Sequence, residues 1–255
     1  MSPIPDNLGR YYPANYYSIP STIEQVASAA DLEHYKIDIV QKFSTGGRLL
    51  EIGPAYGSFL YLAKQAGFDA EALEMDPDCC RFLEKVIGVK AIQSNNPATA
   101  LAGSKKYNVI ALWHVIEHLS DPWMSLSAIS ESLLPGGILV IAAPNPNAFQ
   151  FKILGRFWPH VDAPRHVELI PLPLLSAQMA YRLCETIWTT TTDKGAIGWN
   201  TFGWQYYLTN FGNSWNNIVF KRAMNLAGRI VSTLVSPIER MDALGSAYTA
   251  VFRKR

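Results

Sequence analysis

The stretch Leu49–Gly67, LLEIGPAYGSFLYLAKQAG, runs an apolar strand into a turn bounded by Gly53 and Gly57, and then into a helix closed by Gly67. A strand that ends in glycines at the mouth of a helix lets a ligand approach the backbone. Glycine has no Cβ, and the first helical N–H groups have no partner within the helix. The turn Gly53-Pro54-Ala55-Tyr56-Gly57 does not match the dinucleotide fingerprint G-x-G-x-x-G, because Ala55 holds the middle glycine position and the spacing differs. A nicotinamide cofactor is thereby disfavoured. Glu51 sits in the end of the strand. Glu74 follows Gly53 by 21 residues, close to where doubly wound folds place the carboxylate that accepts hydrogen bonds from a ribose. A nucleoside ligand suits this arrangement, with Asp76 as a competitor for the ribose role or as the cap of the next helix.

Outward from this turn, helical and strand-like segments alternate between about residues 35 and 192. HYKIDIVQKF reads as a helix, DAEALEMD as a strand with alternating apolar residues, CCRFLEKVIG as a helix, and VKAIQS and YNVIALWH as strands. PWMSLSAISESL follows as a helix, LLPGG as a turn, ILVIAAP as a strand, PLLSAQMAYRLC as a helix and TIWTTTT as a strand. Such alternation predicts an α/β fold, a doubly wound, mostly parallel sheet with helices on both faces and its ligand crevice beyond the carboxyl ends of the strands.

Composition sets bounds on the class of protein. The chain has 255 residues, 49% hydrophobic and 17% charged, enough for a full core in one large domain or one domain plus an insertion. A net charge of +1 argues against a dominant nucleic-acid footprint. The charge is uneven, however: residues 195–255 carry seven Lys/Arg against two Asp/Glu. Three cysteines, two of them adjacent, suggest no disulfide framework, and a reducing cytoplasm is the expected setting. Neither an export signal nor a membrane-spanning run is expected.

Three later segments follow in a telling order: YNVIALWHVIEHLSDP (107–122), LLPGGILVIAAPNPN (133–147) and PRHVELIPLPLL (164–175). With the glycine turn, they make residues 35–192 resemble class I S-adenosylmethionine-dependent methyltransferases, especially the branch in which VIEHLSDP follows the fourth strand. The resemblance implies a seven-stranded Rossmann-like sheet whose last strand, SAYTAVFRKR, is antiparallel. It also implies S-adenosylmethionine as cofactor. Carried over by position, Glu51, Gly53, Ala55, Tyr56 and Gly57 would frame the methionine part, and Glu74 would bind the ribose. Met75 would flank the adenine, Asn95 in Ser94–Asn95–Asn96 would face its edge, and Trp113 and His114 would lie near the transferable methyl. The family often has Asp where this chain has Ser and Asn.

HVIEH, His114–His118, also fits H-x-x-E-H, the signature of one zinc peptidase group. That chemistry needs both histidines one turn apart on a helix. Here the motif follows a strand and is cut off by Pro122, so no metal is expected, and Glu117 and His118 are read as orienting their loop.

Methyl transfer to a hydroxyl benefits from a base, and His166 in APRHVELI is the leading candidate, with His114 as a second catalytic position. The alternative for His166 is holding its loop to the sheet. His160, Arg165, Trp204 and Tyr207 are candidate substrate contacts.

The domain plan places an N-terminal lid or extension at 1–34, a cofactor-binding domain at 35–194 and 244–255, and a helical cap insertion at 195–243. Residues 195–220 contain no charged side chain but three of the seven tryptophans. Leu226, Ile230, Leu234 and Ile238 then repeat at four-residue spacing as one helical stripe. This insertion reads as a cap over an acceptor pocket, as a structural cover or homodimer contact, or as a peripheral membrane contact that meets a lipid-linked substrate. The expected activity is O-methylation of a small molecule, sugar or biosynthetic intermediate. The alternative from another class is a cofactor-binding or scaffold protein without turnover.

Overall fold

Leu49 and Leu50 are neighbours on one strand, both fully buried, and they belong to different hydrophobic clusters. Successive strand residues point to opposite faces, so this sheet is covered on both sides. The computed structural model describes residues 11, 16–103, 105–210, 218–241 and 243–255. Among them the sheet has seven strands: β1 Arg48–Ile52, β2 Asp69–Glu74, β3 Lys90–Gln93, β4 Tyr107–Trp113, β5 Leu133–Pro144, β6 Cys184–Thr190 and β7 Ala247–Lys254. Their order is β3-β2-β1-β4-β5-β7-β6. β7 runs antiparallel to both β5 and β6, and the other pairings are parallel.

Helices α1 Ile23–Gln41 and α2 Ser58–Gln65 cover one face, α2 burying Phe59 in the cluster that holds Leu49, Val109 and Val140 of the sheet. α3 Pro77–Phe82 follows β2, and α4 Pro97–Ala100 follows β3. On the other face α5 Pro122–Glu131 and α7 Leu172–Tyr181 bury Leu126, Ile129 and Leu175 against Leu50, Ile110 and Leu139. α6 Phe149–Leu154 follows β5. α8 Lys194–Asn210 and α9 Ile218–Glu239 form the helical insertion between β6 and β7. Trp158 and Trp204 join Ala148 and Leu154 in a third, smaller cluster packed against residues of α9.

α4 and α6 fall where the sequence reading gave no element, the helix read over CCRFLEKVIG continues past Phe82 as a π-helical turn, and α1 and β5 differ in extent. α1 begins at Ile23, capped by Thr22, whose side chain accepts from Gln25 N–H, whereas HYKIDIVQKF marks only its second half. The segment LLPGG, expected as a turn, lies within β5. Leu133 pairs with Tyr107, and pairing resumes at Ile138–Val109 after an irregularity that Gly136, at φ +77°, accommodates. A Cβ on Gly137 would stand 2.9–3.1 Å from the carbonyls of Leu134, Tyr107 and Asn108, so only glycine fits this close approach.

Cys79, Cys80 and Cys184 are buried and unbridged. Among the described residues no helix is long and apolar enough to cross a membrane. Of the N-terminal lid or extension expected at 1–34, residues 11 and 16–34 are described, and they hold the start of α1 as well as Tyr11, Tyr16 and Tyr17; the rest lies outside the described residues.

Candidate active site

At the carboxyl ends of β1, β2 and β4 lies a cavity of about 520 Å³. The turn after β1 forms one wall, contributing Gly53, Pro54, Ala55 and Tyr56. Gly53, Ala55 and Gly57 all have positive φ, at 69°, 51° and 82°. The reason for glycine here is not the one expected. A Cβ on Gly53 would meet Val115 at 2.7 Å and one on Gly57 would strike Leu83, so both faces pack on protein rather than opening toward a ligand. What the turn offers the cavity is its backbone.

Glu51 and Glu74 both line this cavity. Glu51 is 3% exposed, and its Oε2 has no hydrogen-bond partner among the described residues. Burial pushes its pKa up to about 8, against the pull of Lys36, while Glu33 and Glu74 push it further up. Ser58 Oγ and Trp113 Nε1, also on the cavity wall, are likewise buried without a partner. Glu74 is held firmly. Its Oε2 accepts from Ala55 N–H at 3.0 Å, and its Oε1 from Met75 and Asp76 N–H at 2.7 and 2.8 Å. Burial raises its pKa, and these three donors oppose that rise. Asp76 instead caps α3, accepting from Asp78 and Cys79 N–H at 2.8 and 3.0 Å. It does not line the cavity, so its side chain serves the helix and not the site.

Met75, 42% exposed, and Asn95 lie on the same wall. Asn96, next to Asn95, spends its side chain capping α4. Trp113 packs edge-on against Phe59, and Lys36 Nζ stands 5.4 Å above its ring. Lys36, Glu33 and Ser58 were not singled out from sequence. The two charged residues come from α1, where a surface-type spacing gives no hint that the helix passes over the crevice.

His114, just past β4, has a left-handed backbone at φ 57°, a conformation uncommon outside glycine in which histidine, like Asn and Asp, is enriched. Its Nε2 accepts from the indole Nε1–H of Trp199 on α8 at 2.9 Å, so Nδ1 carries the proton, 3.6 Å from Glu117 Oε1. Ile116–His118 form a single 3-10 turn. The helical spacing of a peptidase H-x-x-E-H motif is therefore not formed.

A second cavity, about 720 Å³, lies beneath the insertion and the loop 156–166. Tyr16, His114 and His118 line both cavities. His160, Arg165, His166 and Tyr207 all line the second one. His166 donates Nδ1–H to His160 O at 2.7 Å, and His118 donates Nδ1–H to Arg165 O at 3.0 Å. His160 is buried, and desolvation, with His114 and His166 nearby, drives its pKa down to about 2. Glu117 is 2% exposed. Although burial opposes ionisation, His114 and His118 hold its carboxyl below the usual range. Arg165 pairs with Asp162 at 2.6 Å and reaches Tyr16 OH at 3.2 Å.

Trp204 is a correction. It lines neither cavity: it is 7% exposed, and its Nε1–H donates to buried Glu239 Oε1 at 2.8 Å, alongside Gln150 Nε2 at 3.1 Å. Its role is the core of the insertion. Trp199, five residues earlier and so on a different face of α8, reaches the site instead; uniform aromatic enrichment along α8 gave no means of choosing between them.

A family profile described as a methyltransferase domain matches residues 28–183. The ubiquinone biosynthesis O-methyltransferase of Cereibacter sphaeroides (strain ATCC 17025) is 31% identical over 119 residues, covering 44% of this chain and 48% of that protein. The protein of the same name from Ruegeria pomeroyi is 29% identical over 116 residues, covering 43% and 47%. The matched region thus spans about half the length of these relatives. Among solved structures, a SAM-dependent methyltransferase from Archaeoglobus fulgidus superposes with a TM-score of 0.59 at 19% identity, covering 88% of this chain and 94% of that one. A Haemonchus contortus phosphoethanolamine N-methyltransferase, in complex with S-adenosyl-L-methionine, gives 0.54 at 14% identity, covering 87% and 52%. The profile spans more than half of the sequence, and the chain belongs to this methyltransferase-domain family.

Proposed function

We propose that this chain binds S-adenosylmethionine in the first cavity and methylates an oxygen of a small-molecule biosynthetic intermediate in the second. The observation that carries this reading is that the two cavities meet at Tyr16, His114 and His118. A methyl group presented from one is then within reach of an acceptor in the other.

The residues of the first cavity fit the cofactor. Buried polar atoms without partners are costly, and Glu51 Oε2, Ser58 Oγ and Trp113 Nε1 form such a set on one wall. Glu33 and Glu74 face the cavity against Lys36, and Glu51, protonated in the cofactor-free pocket, gains a reason to ionise when a cation is placed beside it, so the set favours a cationic ligand. In this reading Gly53, Ala55 and Tyr56 frame the methionine part, Gly57, which is not on the cavity wall, closes the turn behind them, and Glu51 faces the ammonium group. Glu74 accepts from the ribose hydroxyls, Met75 and Asn95 flank the adenine, and Trp113 and His114 stand beside the methyl. Asp76 contributes only its helix cap.

The bound sulfonium supplies an activated methyl group, so the protein's work is alignment and exclusion of water. An acceptor hydroxyl must also lose its proton. His166 is suited to accept it, because its Nδ1–H is given to His160 O, a bond that selects the neutral tautomer with its lone pair on Nε2. His114 has its acceptor nitrogen engaged by Trp199, and His160 is too weak a base. Both remain contacts for cofactor or substrate, with Arg165 and Tyr207. The relatives named for O-methylation in ubiquinone biosynthesis support oxygen as the methylated atom.

The insertion supports an acceptor presented at a lipid surface. Leu226, Ile230, Leu234 and Ile238 on α9 are 40–74% exposed, whereas Gly228 and Ser232 are buried. The apolar stripe faces outward, near Lys221, Arg222 and Arg229, as in helices that lie on anionic membranes. The domain plan, with this insertion as a cap joined to a cofactor-binding body, follows the same reading.

Calorimetry with S-adenosylmethionine, followed by mass analysis of hydroxylated acceptors with and without a lipid tail, tests the proposal. Stoichiometric binding and a one-methyl mass gain are expected. Absence of binding overturns it; binding without turnover across acceptors favours a scaffold role.

A further inference from the structure

Glu117, His118 and His166 come from two segments, 48 residues apart along the chain between the last two, yet one ligand-capable atom from each lies within 4.8 Å of the others. Backbone contacts bring the segments together: Val167 N–H donates to Glu117 O at 2.7 Å. The imidazoles stand edge to face, 4.7 Å between centroids. We propose that these three side chains form a binding site for a divalent transition-metal cation, open to the second cavity.

Three independent observations support the site. First, both histidines donate Nδ1–H to a main-chain carbonyl, of Arg165 and of His160. That is the outer-shell arrangement by which metal-binding histidines are fixed in one tautomer with Nε2 as the donor atom. Second, Glu117 is almost wholly buried, and its Oε2 has no hydrogen-bond partner among the described residues. A buried carboxylate oxygen without a proton donor needs a cation or a hydrogen bond. Third, all three residues line the same cavity, which leaves room for water or an acceptor oxygen in the remaining coordination positions.

Two imidazoles and a carboxylate suit zinc, manganese, iron or cobalt better than magnesium or calcium, which prefer all-oxygen ligands. The site differs from the peptidase pairing within HVIEH. His114 gives its Nε2 to Trp199 and stays outside, while His166 supplies the third donor from a distant loop. The location of the acceptor rests on the proposed function; the cation site does not. Where a cation is bound, it takes the lone pair that would otherwise accept the acceptor's proton, so His166 changes from base to ligand.

The test uses the full chain, prepared without a histidine tag and stripped with a chelator. Cobalt(II) is titrated by visible absorption and zinc(II) by calorimetry. One cation per chain is expected, with affinity reduced about 100-fold or more in His166→Ala and Glu117→Gln and unchanged in His34→Ala, an exposed position on α1. Because His166 also ties its loop, pulsed electron paramagnetic resonance of manganese(II) in the unaltered protein gives a second readout, with couplings to two imidazole nitrogens expected. No stoichiometric binding, equal affinity in the variants, or no imidazole coupling overturns the site. Calorimetry with S-adenosylmethionine on the stripped protein separates the two readings. Nucleoside binding without cation binding removes only the metal site, and cation binding without nucleoside binding removes only the methyltransferase reading.

Discussion

Trp199 donates its indole N–H to His114 Nε2 at 2.9 Å, joining the helical insertion to the loop that follows the fourth strand. Both side chains line the second cavity, and the backbone that carries the His114 ring is in the left-handed region. Insertion and sheet thus meet where cofactor and acceptor are proposed to meet.

Trp199→Phe keeps an aromatic ring, smaller than the indole, and removes the donor. One hydrogen bond of this kind contributes about 1 kcal/mol, so a fall of that size in unfolding free energy is expected. In kinetics, the KM for acceptor should rise several-fold while S-adenosylmethionine affinity stays level. A change confined to cofactor affinity would place Trp199 in the wrong cavity.

Glu74 and Asp76 are two residues apart with opposite expected phenotypes. Glu74→Ala should weaken S-adenosylmethionine binding by about 1–3 kcal/mol through loss of charge-assisted bonds. Asp76→Ala should cost about 0.5–2 kcal/mol of stability through loss of the α3 cap, with little effect on binding. Calorimetry and urea unfolding of both variants check this pair, and exchanged phenotypes would reverse the assignment.

Burial sets the pH dependence at Glu51. In the folded chain it keeps its proton to about pH 8, against an ordinary value of 4.5. Between those values the folded state binds more protons than the unfolded one. Stability from this group is therefore fully present below pH 4.5 and declines as pH rises through 8. Glu51→Gln should flatten that decline, gaining on the unaltered protein between about pH 5 and about pH 9 in cofactor-free melts. Parallel curves for the two proteins would remove the effect.

The outward stripe on α9 predicts binding to vesicles. Flotation with anionic vesicles should recover the protein, and neutral vesicles should recover much less. Burying one leucine is worth about 1.5–3 kcal/mol, so Leu234→Glu should lower partitioning about tenfold or more. Equal flotation of both proteins would assign the stripe to some other contact.

Much of this was legible in the chain itself. Periodicity and glycine placement determined the alternating α/β order, because strands buried on both faces and helices with one apolar stripe have different repeats. The turn at Gly53–Gly57 marked the crevice, and the acids at 51 and 74 marked two of its walls. Tertiary structure alone decided what depends on distant segments meeting. It set the glycines of that turn against Val115 and Leu83, and it put Trp199 rather than Trp204 at the site. It also turned the α9 stripe outward and drew His166 to Glu117 and His118. Local sequence specifies backbone conformation and which face is apolar; which faces then come into contact is fixed by packing across the whole chain.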